Sequence, residues 1–177
     1  MQRVGSPQAI AVRLVGEQSF TELFAPLVQP AYRLACAMLH DANAAEDAVQ
    51  EASLVAWRKL GKLQDRSGLR GWYLGIVANE CRNARRGTWL RRVDLGVPHT
   101  IAAATSEASA AGRLDLRKAL LRLTHDDRLV VVLYFYLDMP VTEVAAVAGT
   151  SVDAARRRLY RALHKLRPGL EVEEALR

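Results

Sequence analysis

The amino-acid sequence predicts an all-α fold, with two small helical domains joined by a flexible linker. Apolar residues recur at the three- and four-residue spacing of helices along most of the 177 residues. Aromatic residues make up only 6% of the chain, and no series of β-branched strands alternates with turns. Residues 97–112 (VPHTIAAATSEASAAG) are rich in Ala, Ser and Thr and have little amphipathic order, which is typical of a linker.

The composition of the chain limits the kinds of partner, location and cofactor that we expect. The formal charge of +6 and the pI near 9.7 favour a polyanionic partner. With no apolar run as long as a membrane span and no signal-peptide layout, we expect a cytoplasmic protein. Cys36 and Cys81 are better explained as buried free thiols than as a metal or redox pair, and we expect no cofactor. We expect an N-terminal arm over residues 1–18, a first helical domain over 19–86, a linker over 87–113, a second helical domain over 114–168 and an acidic tail over 169–177.

The first domain is expected to hold three helices. The capping box Ser19-Phe20-Thr21-Glu22 predicts the start of the first helix, and Pro26 and Pro30 predict a kink or a restart within it. Asn43, with Glu46, is predicted to cap a second helix over residues 44–60. The predicted buried face of that helix comprises Ala45, Ala48, Val49, Ala52, Val55 and Ala56.

The opposite face of this second helix is polar but carries two large apolar residues. Asp47, Gln50 and Glu51 lie on it, together with Leu54 and, beside them, Trp57. A solvated face is one explanation. Exposure of Leu54 and Trp57 without cover is unfavourable, so a protein partner is the other.

A third helix is predicted from Leu69, with one apolar side and one side of small and basic residues. Trp72 and Tyr73 are explained either as core or as rings on which unstacked bases could stack. The small residues permit close approach of another backbone, and the arginines add positive charge. The predicted apolar stripe is Leu69, Trp72, Tyr73, Ile76, Val77, Cys81 and Ala84, and the other side holds Gly71, Gly75, Ala78, Asn79, Arg82, Arg85 and Arg86.

Residues 140–167 predict a helix-turn-helix. Gly149 suits the left-handed position that ends a helix, and Ser151 suits the cap of the next one. The second of these helices has an apolar stripe and is otherwise crowded with basic residues, as expected of a helix lying against DNA phosphates and base edges. A solvated basic face is the alternative. Upstream, Thr124 with Asp127 predicts a cap, and residues 129–137 (LVVVLYFYL) are predicted to form a buried helix, although their propensity also suits a strand.

Two stretches, in this order, resemble regions two and four of the extracytoplasmic-function (ECF) group of sigma-70 RNA polymerase sigma factors. The first stretch is AEDAVQEASLVAW (45–57) followed by LRGWYLGIVANECRNARR (69–86), and the second is residues 116–167. The resemblance implies a non-enzymatic promoter-recognition subunit. It also implies that the partners are promoter DNA, the β′ clamp helices and β flap of core RNA polymerase, and an anti-sigma factor.

Residue by residue, the resemblance also implies three sets of site residues. The set for polymerase binding is Asp47, Gln50, Glu51, Leu54 and Trp57. The set for the downstream promoter box is Asp65, Arg66 and Arg70, in a loop that captures an unstacked base, with Asn79, Arg82 and Arg86 on the following helix. The set for the upstream box is Ser151, Asp153, Ala154, Arg156, Arg157, Arg158 and Arg161.

Two other functions are compatible with parts of the sequence. A stand-alone helix-turn-helix regulator would use the first domain for dimerisation or for binding a ligand. The exposed acidic residues beside Trp57 fit polymerase docking better than a dimer interface. An enzyme is disfavoured, because no Ser/His/Asp set, paired carboxylates or phosphate-binding glycine loop is present, and His125-Asp126 is better explained as a helix start.

Overall fold

The computed structural model describes residues 7–63, 67–95 and 118–166, and over these ranges the protein is helical, without a strand. The first domain consists of α1 (Pro7–Leu39), α2 (Ala42–Lys59) and α3 (Leu69–Leu95), and the second of α4 (His125–Val131), α5 (Val141–Ala148) and α6 (Val152–Leu166). A 3₁₀ turn (Leu60–Lys62) follows α2, and a π-helical turn (Val132–Tyr136) follows α4. The prediction of an all-α fold with two helical domains is confirmed.

Helix α1 is longer than the sequence pattern predicted. It begins at Pro7 and runs without a restart through Pro26 and Pro30. Proline suits the first turn of a helix, because its missing N–H would have no partner there. Proline has no N–H to donate to the carbonyl four residues earlier. Pro26 lies on the exposed side of α1 and Pro30 is half-buried, so water can hydrogen-bond to these carbonyls instead. The predicted start at Ser19 is therefore wrong, and only residues 1–6 of the predicted arm lie outside the described residues.

Helix α2 follows its predicted pattern except at its cap. The side chain of Asp41, not Asn43, accepts a hydrogen bond from the backbone N–H of Ala44 at 3.0 Å. An earlier cap adds helical residues before Ala44, so α2 begins at Ala42. Its buried residues are Ala45, Ala48, Val49, Ala52 and Ala56, as predicted, while Val55 is half-buried.

Helix α3 continues to Leu95, nine residues beyond the predicted end of the first domain at Arg86. Leu74 and Ala78 are fully buried, although neither was placed in the predicted stripe. Both are buried because α3 is covered on two sides: α1 and α2 pack on one, and α5 of the second domain packs on the other. The rest of the predicted linker, residues 96–113, and the tail 169–177 lie outside the described residues.

The second domain begins with the predicted cap. The hydroxyl of Thr124 accepts a hydrogen bond from the N–H of Asp127 at 3.2 Å, and α4 starts at His125. Residues 129–133 are buried, as predicted, but the aromatic side chains at 134–136 are exposed. The π-helical turn changes the register at this point and turns these three rings towards solvent.

Helices α5 and α6 form the predicted helix-turn-helix. Gly149 ends α5 with φ at +63°, a left-handed conformation that glycine adopts without steric cost. The hydroxyl of Ser151 accepts a hydrogen bond from the N–H of Ala154 at 3.2 Å and caps α6. The apolar stripe predicted for α6 is Val152, Ala155, Leu159, Ala162 and Leu166, and all of these are buried except Val152, which is half-buried.

The two domains pack against each other through α3 and α5. A Cβ at Gly71 of α3 would lie 3.9 Å from Val147 Cγ2 and 4.0 Å from Met139 Cε, at ordinary van der Waals distance, so the second domain lies directly against α3 here. The guanidinium of Arg70 donates a hydrogen bond to the carbonyl of Leu137. A helix of the second domain therefore packs on α3, as predicted for this side, but a Cβ at Gly71 or Gly75 would meet no clash, so the approach does not require glycine.

A second arginine, Arg128, joins the domains from within the core. Its guanidinium donates to the carbonyl of Met38, near the end of α1, at 3.3 Å. It also donates to Leu120 at 2.9 Å and to Leu123 at 3.3 Å, carbonyls at and just beyond the helical turn 118–121. Carbonyls at helix ends lack intrahelical partners, and a cation is favourable there. Arg128 is buried, and burial is the main reason that its pKa is lowered, followed by the nearby charge of Arg85.

Candidate nucleic-acid and protein interfaces

The outward side of α2 is exposed, with carboxylates next to apolar side chains. Asp47, Gln50 and Glu51 all face solvent, and Leu54 is 50% exposed. This side of α2 points away from the packed side of the same helix, so the fold of the first domain leaves it accessible. It can therefore present negative charge beside a hydrophobic contact to another protein.

Trp57, at the end of this side of α2, is positioned by an aromatic contact with α1. Its ring meets Phe20 edge-on at 5.1 Å, and Phe20 stacks on Phe24 at 4.1 Å. Phe24 in turn meets Tyr73 of α3 edge-on at 5.0 Å. Trp57 stays 37% exposed, so it is fixed in orientation and still available for contact.

Tyr73 and Trp72, which sequence reasoning could explain in two ways, have different environments. Tyr73 is fully buried, and its hydroxyl is hydrogen-bonded to that of Ser53 at 2.8 Å. Burial is the main reason that the pKa of Tyr73 is raised. Trp72 is half-buried and lines a cleft of about 680 Å³ between α2, α3 and α5. Tyr73 is therefore a core residue, whereas the ring of Trp72 borders the cleft.

The residues expected to contact the downstream box lie around this cleft and a second one. Asn79 lines the first cleft, while Arg82 and Arg86 line the second, next to the start of α4. Arg70 contacts the second domain, as described above. Asp65 and Arg66 lie outside the described residues.

His125 of α4 lies in the second cleft, near the arginines of α3. Its pKa is lowered to about 4, first by burial and then by the positive charges of Arg85 and Arg82. Both ring nitrogens are buried and have no hydrogen-bond partner in the described part of the chain. His125 is consequently neutral in the folded protein near pH 7.

The basic side of α6 is divided into paired and unpaired arginines. Arg158 lies 3.4 Å from the carboxylate of Asp126, and Arg161 lies 3.7 Å from that of Asp127. Arg156 makes an exposed ion pair with Asp153 at 3.6 Å. Arg157 is exposed and has no carboxylate within ion-pair distance among the described residues. The free guanidinium of Arg157 can therefore turn towards a phosphate or a guanine without breaking an ion pair.

The remaining residues of the predicted upstream-box set lie at the start of α6. Ser151 and Asp153 are exposed, and Ala154 is half-buried. All seven predicted positions thus lie on one helix or its cap, although the hydroxyl oxygen of Ser151 is already an acceptor within the cap.

Asp127 is a residue of this region that sequence reasoning placed only in a cap. Its buried carboxylate accepts a hydrogen bond from Lys165 Nζ at 3.0 Å. Burial opposes ionisation of Asp127, but the hydrogen bonds from Lys165 and Thr124 and the charge of Arg161 outweigh it and lower the pKa. Asp127 and Lys165 are 38 positions apart, so no local pattern could have paired them.

Two further features bear on the class of protein. Both cysteines are free; Cys81 is buried, as predicted, and Cys36 is half-buried. None of the described helices has the length and apolar character needed to cross a membrane.

Comparison with known proteins identifies both domains. Residues 23–91 match sigma-70 region 2, and residues 113–166 match sigma-70 region 4. The RNA polymerase sigma factor CarQ of Myxococcus xanthus is 30% identical over 156 residues, covering 85% of this chain and 88% of CarQ. The probable RNA polymerase sigma factor RfaY of Xanthomonas campestris is 30% identical over 143 residues, covering 73% of this chain but only 34% of RfaY.

Solved structures share the fold. The sigma factor RpoE of Bartonella quintana, solved in complex with the anti-sigma factor NepR, superposes with a TM-score of 0.78 at 23% identity, covering 88% of this chain and 99% of RpoE. CnrH, solved in complex with the cytosolic domain of CnrY, superposes with a TM-score of 0.65 at 25% identity, covering 86% of this chain and 87% of CnrH. The ECF RNA polymerase sigma factor SigL of Mycobacterium tuberculosis is 29% identical over 148 residues, covering 79% of this chain and 82% of SigL. With both sigma-70 regions present in order, and relatives matched over most of their length, the chain belongs to the ECF group of the sigma-70 family of RNA polymerase sigma factors.

Proposed function

We propose that this protein is a promoter-recognition subunit that binds core RNA polymerase, reads the upstream and downstream promoter boxes and starts transcription. The observation that carries the proposal is that two different surfaces occur in one chain of this family. One is the exposed acidic and apolar side of α2, and the other is the basic second helix of a helix-turn-helix. A stand-alone regulator has no use for the first surface, and family membership argues against that alternative.

The proposed division of labour follows the surfaces. Asp47, Gln50, Glu51, Leu54 and Trp57 bind the β′ clamp helices, where the carboxylates meet basic groups and the apolar side chains are covered. The region around Asp65, Arg66, Arg70, Asn79, Arg82 and Arg86 receives the separated strand of the downstream box. Helix α6 enters the major groove of the upstream box, and the second domain also docks on the β flap. The protein acts by binding rather than by catalysis, and it acts in the cytoplasm, where polymerase and promoter DNA are.

An anti-sigma factor is the proposed regulator. The support comes from the related structures, since RpoE was solved with an anti-sigma factor and CnrH with the cytosolic domain of CnrY. Arg70, one of the residues proposed for the downstream box, also donates to the carbonyl of Leu137 across the domain boundary. Regulation can therefore act on the separation of the domains.

Charge reversal on α2 tests polymerase docking. We expect Asp47→Arg combined with Glu51→Arg to weaken binding to core polymerase by at least a hundredfold, because like charges facing each other across an interface cost several kcal/mol. Binding is measured by biolayer interferometry with immobilised core enzyme, and circular dichroism checks the fold. The matched control is Glu22→Arg combined with Glu143→Arg, which reverses two exposed acids elsewhere and should bind normally. Normal association of the α2 double variant would remove the docking proposal.

Substitutions on α6 test reading of the upstream box. We expect Arg157→Ala to weaken holoenzyme binding to an upstream-box duplex, with a salt slope reduced by about one if its partner is a phosphate. Because Arg157 has no ion pair among the described residues, the free energy of unfolding should stay unchanged. Arg158→Ala should weaken binding and also lower stability slightly through loss of its ion pair with Asp126. Unchanged affinity and salt slope in both variants would contradict the proposed orientation of α6.

A further inference from the structure

The second cleft is a basic space between the two domains. Arg82, Arg85 and Arg86 of α3 line one side of it and residues 124–126 line the other, and the space between them, about 340 Å³, is open to solvent. Among the residues that the structure describes, no carboxylate lies within ion-pair distance of the three guanidinium groups. The one carboxylate in the lining, that of Asp126, is 3.4 Å from Arg158. With three arginines and one aspartate, and His125 neutral, the lining carries a net charge of +2.

The opposite wall contains a polar group that lacks a partner. Both imidazole nitrogens of His125 are buried without a hydrogen-bond partner in the described ranges. Buried polar groups are nearly always hydrogen-bonded, so each exception calls for an explanation such as an ion that binds there. Burial is the main reason that the pKa of this ring is lowered, and the nearby positive charges of Arg85 and Arg82 add to the effect.

We propose that this cleft is a binding site for a small phosphate anion with two or more negative charges, such as pyrophosphate or the polyphosphate tail of a nucleotide. The planar guanidinium groups can each donate two parallel hydrogen bonds to phosphate oxygens. The imidazole of His125 lies on the opposite side, and a rotation of its ring would bring a nitrogen that is now buried to the same anion. The volume equals that of about ten water molecules, enough for two or three linked phosphate groups.

The two-walled shape favours a small anion over a nucleic-acid strand. A strand lying along the arginines of α3 would meet residues 124–126 on its far side, whereas a small anion can sit between the two sets of residues. A small anion fits between the helices and is bound from both. Its effect is to hold the domains in the packed arrangement and to occupy Arg82 and Arg86. The inference depends on Arg82, Arg85 and Arg86 facing residues 124–126 and is independent of polymerase binding, so it is tested without polymerase or promoter DNA.

Isothermal titration calorimetry of the full chain with inorganic pyrophosphate, at low salt and without divalent metal, tests the site. We expect one pyrophosphate per chain and at least tenfold weaker binding for Arg85→Gln. His125→Phe, on the other wall, should weaken binding as well. The matched control is Arg122→Gln, an exposed arginine outside the cleft lining, which should bind like the wild type.

Three results would overturn the proposal. The first is the absence of saturable pyrophosphate binding. The second is equal weakening by Arg85→Gln and Arg122→Gln, which indicates non-specific attraction to a basic protein. The third combines two findings. A single-stranded thymidine decamer binds tightly, and its binding requires Arg85 but not His125. Pyrophosphate binding is also unchanged when His125 is replaced. That result assigns the arginines to a nucleic-acid phosphate on α3 alone. Circular dichroism checks each variant, and His125→Asn replaces His125→Phe if the latter does not fold.

Discussion

Stability at mildly acidic pH is predicted to depend on His125. In the folded protein its pKa is about 4, against 6.5 for an ordinary histidine, because the ring is largely buried and faces the charges of Arg85 and Arg82. The folded state therefore binds fewer protons than the unfolded state below pH 6.5. Above pH 6.5 His125 is neutral in both states, and its contribution to the free energy of unfolding is fully present. As the pH falls from 6.5 towards 4, the unfolded state gains a proton that the folded state does not, and this contribution is lost.

The size of this loss follows from the two pKa values. At pH 5 the difference in proton binding corresponds to about 2 kcal/mol relative to pH 8. Solvent screening at a ring that is not completely enclosed reduces the expected loss to about 1 kcal/mol. Asp127, whose pKa is lowered, titrates below its ordinary value of 3.8 and does not contribute over this range.

The assay is urea denaturation followed by circular dichroism at pH 8, 6 and 5. We expect His125→Phe to lose about 1 kcal/mol less stability than the wild type between pH 8 and pH 5, because it has no proton to gain. It should also be about 1 kcal/mol more stable at pH 8, since a buried N–H without a partner is removed. His164→Gln, which replaces an exposed histidine of α6, serves as the control and should keep the pH dependence of the wild type. Parallel pH profiles for the wild type and His125→Phe would refute the reasoning.

Three further substitutions probe single positions of the fold. Gly149→Ala should destabilise the protein by about 1–2 kcal/mol, because φ at +63° is unfavourable for a residue with Cβ and no neighbouring atom lies near enough to add a clash. Asp138→Gly should stabilise it by about 0.5–1 kcal/mol, because Asp138 has φ at +50°. Urea denaturation measures the free energy of unfolding of both variants, and a change of the same sign in Gly149→Ala and Asp138→Gly would contradict this account. Burial raises the pKa of Cys81 to about 12, so iodoacetamide at pH 8 should leave Cys81 unmodified in the native protein and label it in urea. Mass spectrometry of tryptic peptides from the wild type and from Cys81→Ser distinguishes labelling of Cys81 from labelling of Cys36. Native labelling of Cys81 at the rate found in urea would show that the core of the first domain opens readily.

Features determined within one helix or one turn could be predicted from the sequence. The buried face of α2 follows from apolar spacing alone, because its alanines pack against helices of the same domain. The left-handed Gly149 and the capping Ser151 are local choices of backbone and side chain, and the structure has both. The exposure of Asp47 and Glu51 follows from the same spacing, since the packed face determines its opposite.

Features that depend on residues distant in the sequence, or on an irregular turn, could not be predicted in this way. Ala78 is buried because α3 is covered by both its own domain and the second one. The hydrogen bond between Lys165 and Asp127 joins residues 38 positions apart. Only such contacts distinguish the basic residues of α6 that are bound within the domain from those, such as Arg157, that are not. The exposure of the rings at 134–136 depends on a π-helical turn, for which residue spacing gives no signal.

The hydrogen bonds made by Arg70 and Arg128 across the domain boundary share one property. Both guanidinium groups donate to main-chain carbonyls, those of Leu137 and Met38. Every amino acid has such a carbonyl, so evolutionary drift at positions 38 and 137 leaves the acceptors in place. The domain boundary is thus vulnerable at its donors, and Arg70 is the better position at which to weaken it, because Arg128 also serves the carbonyls of Leu120 and Leu123 within the second domain.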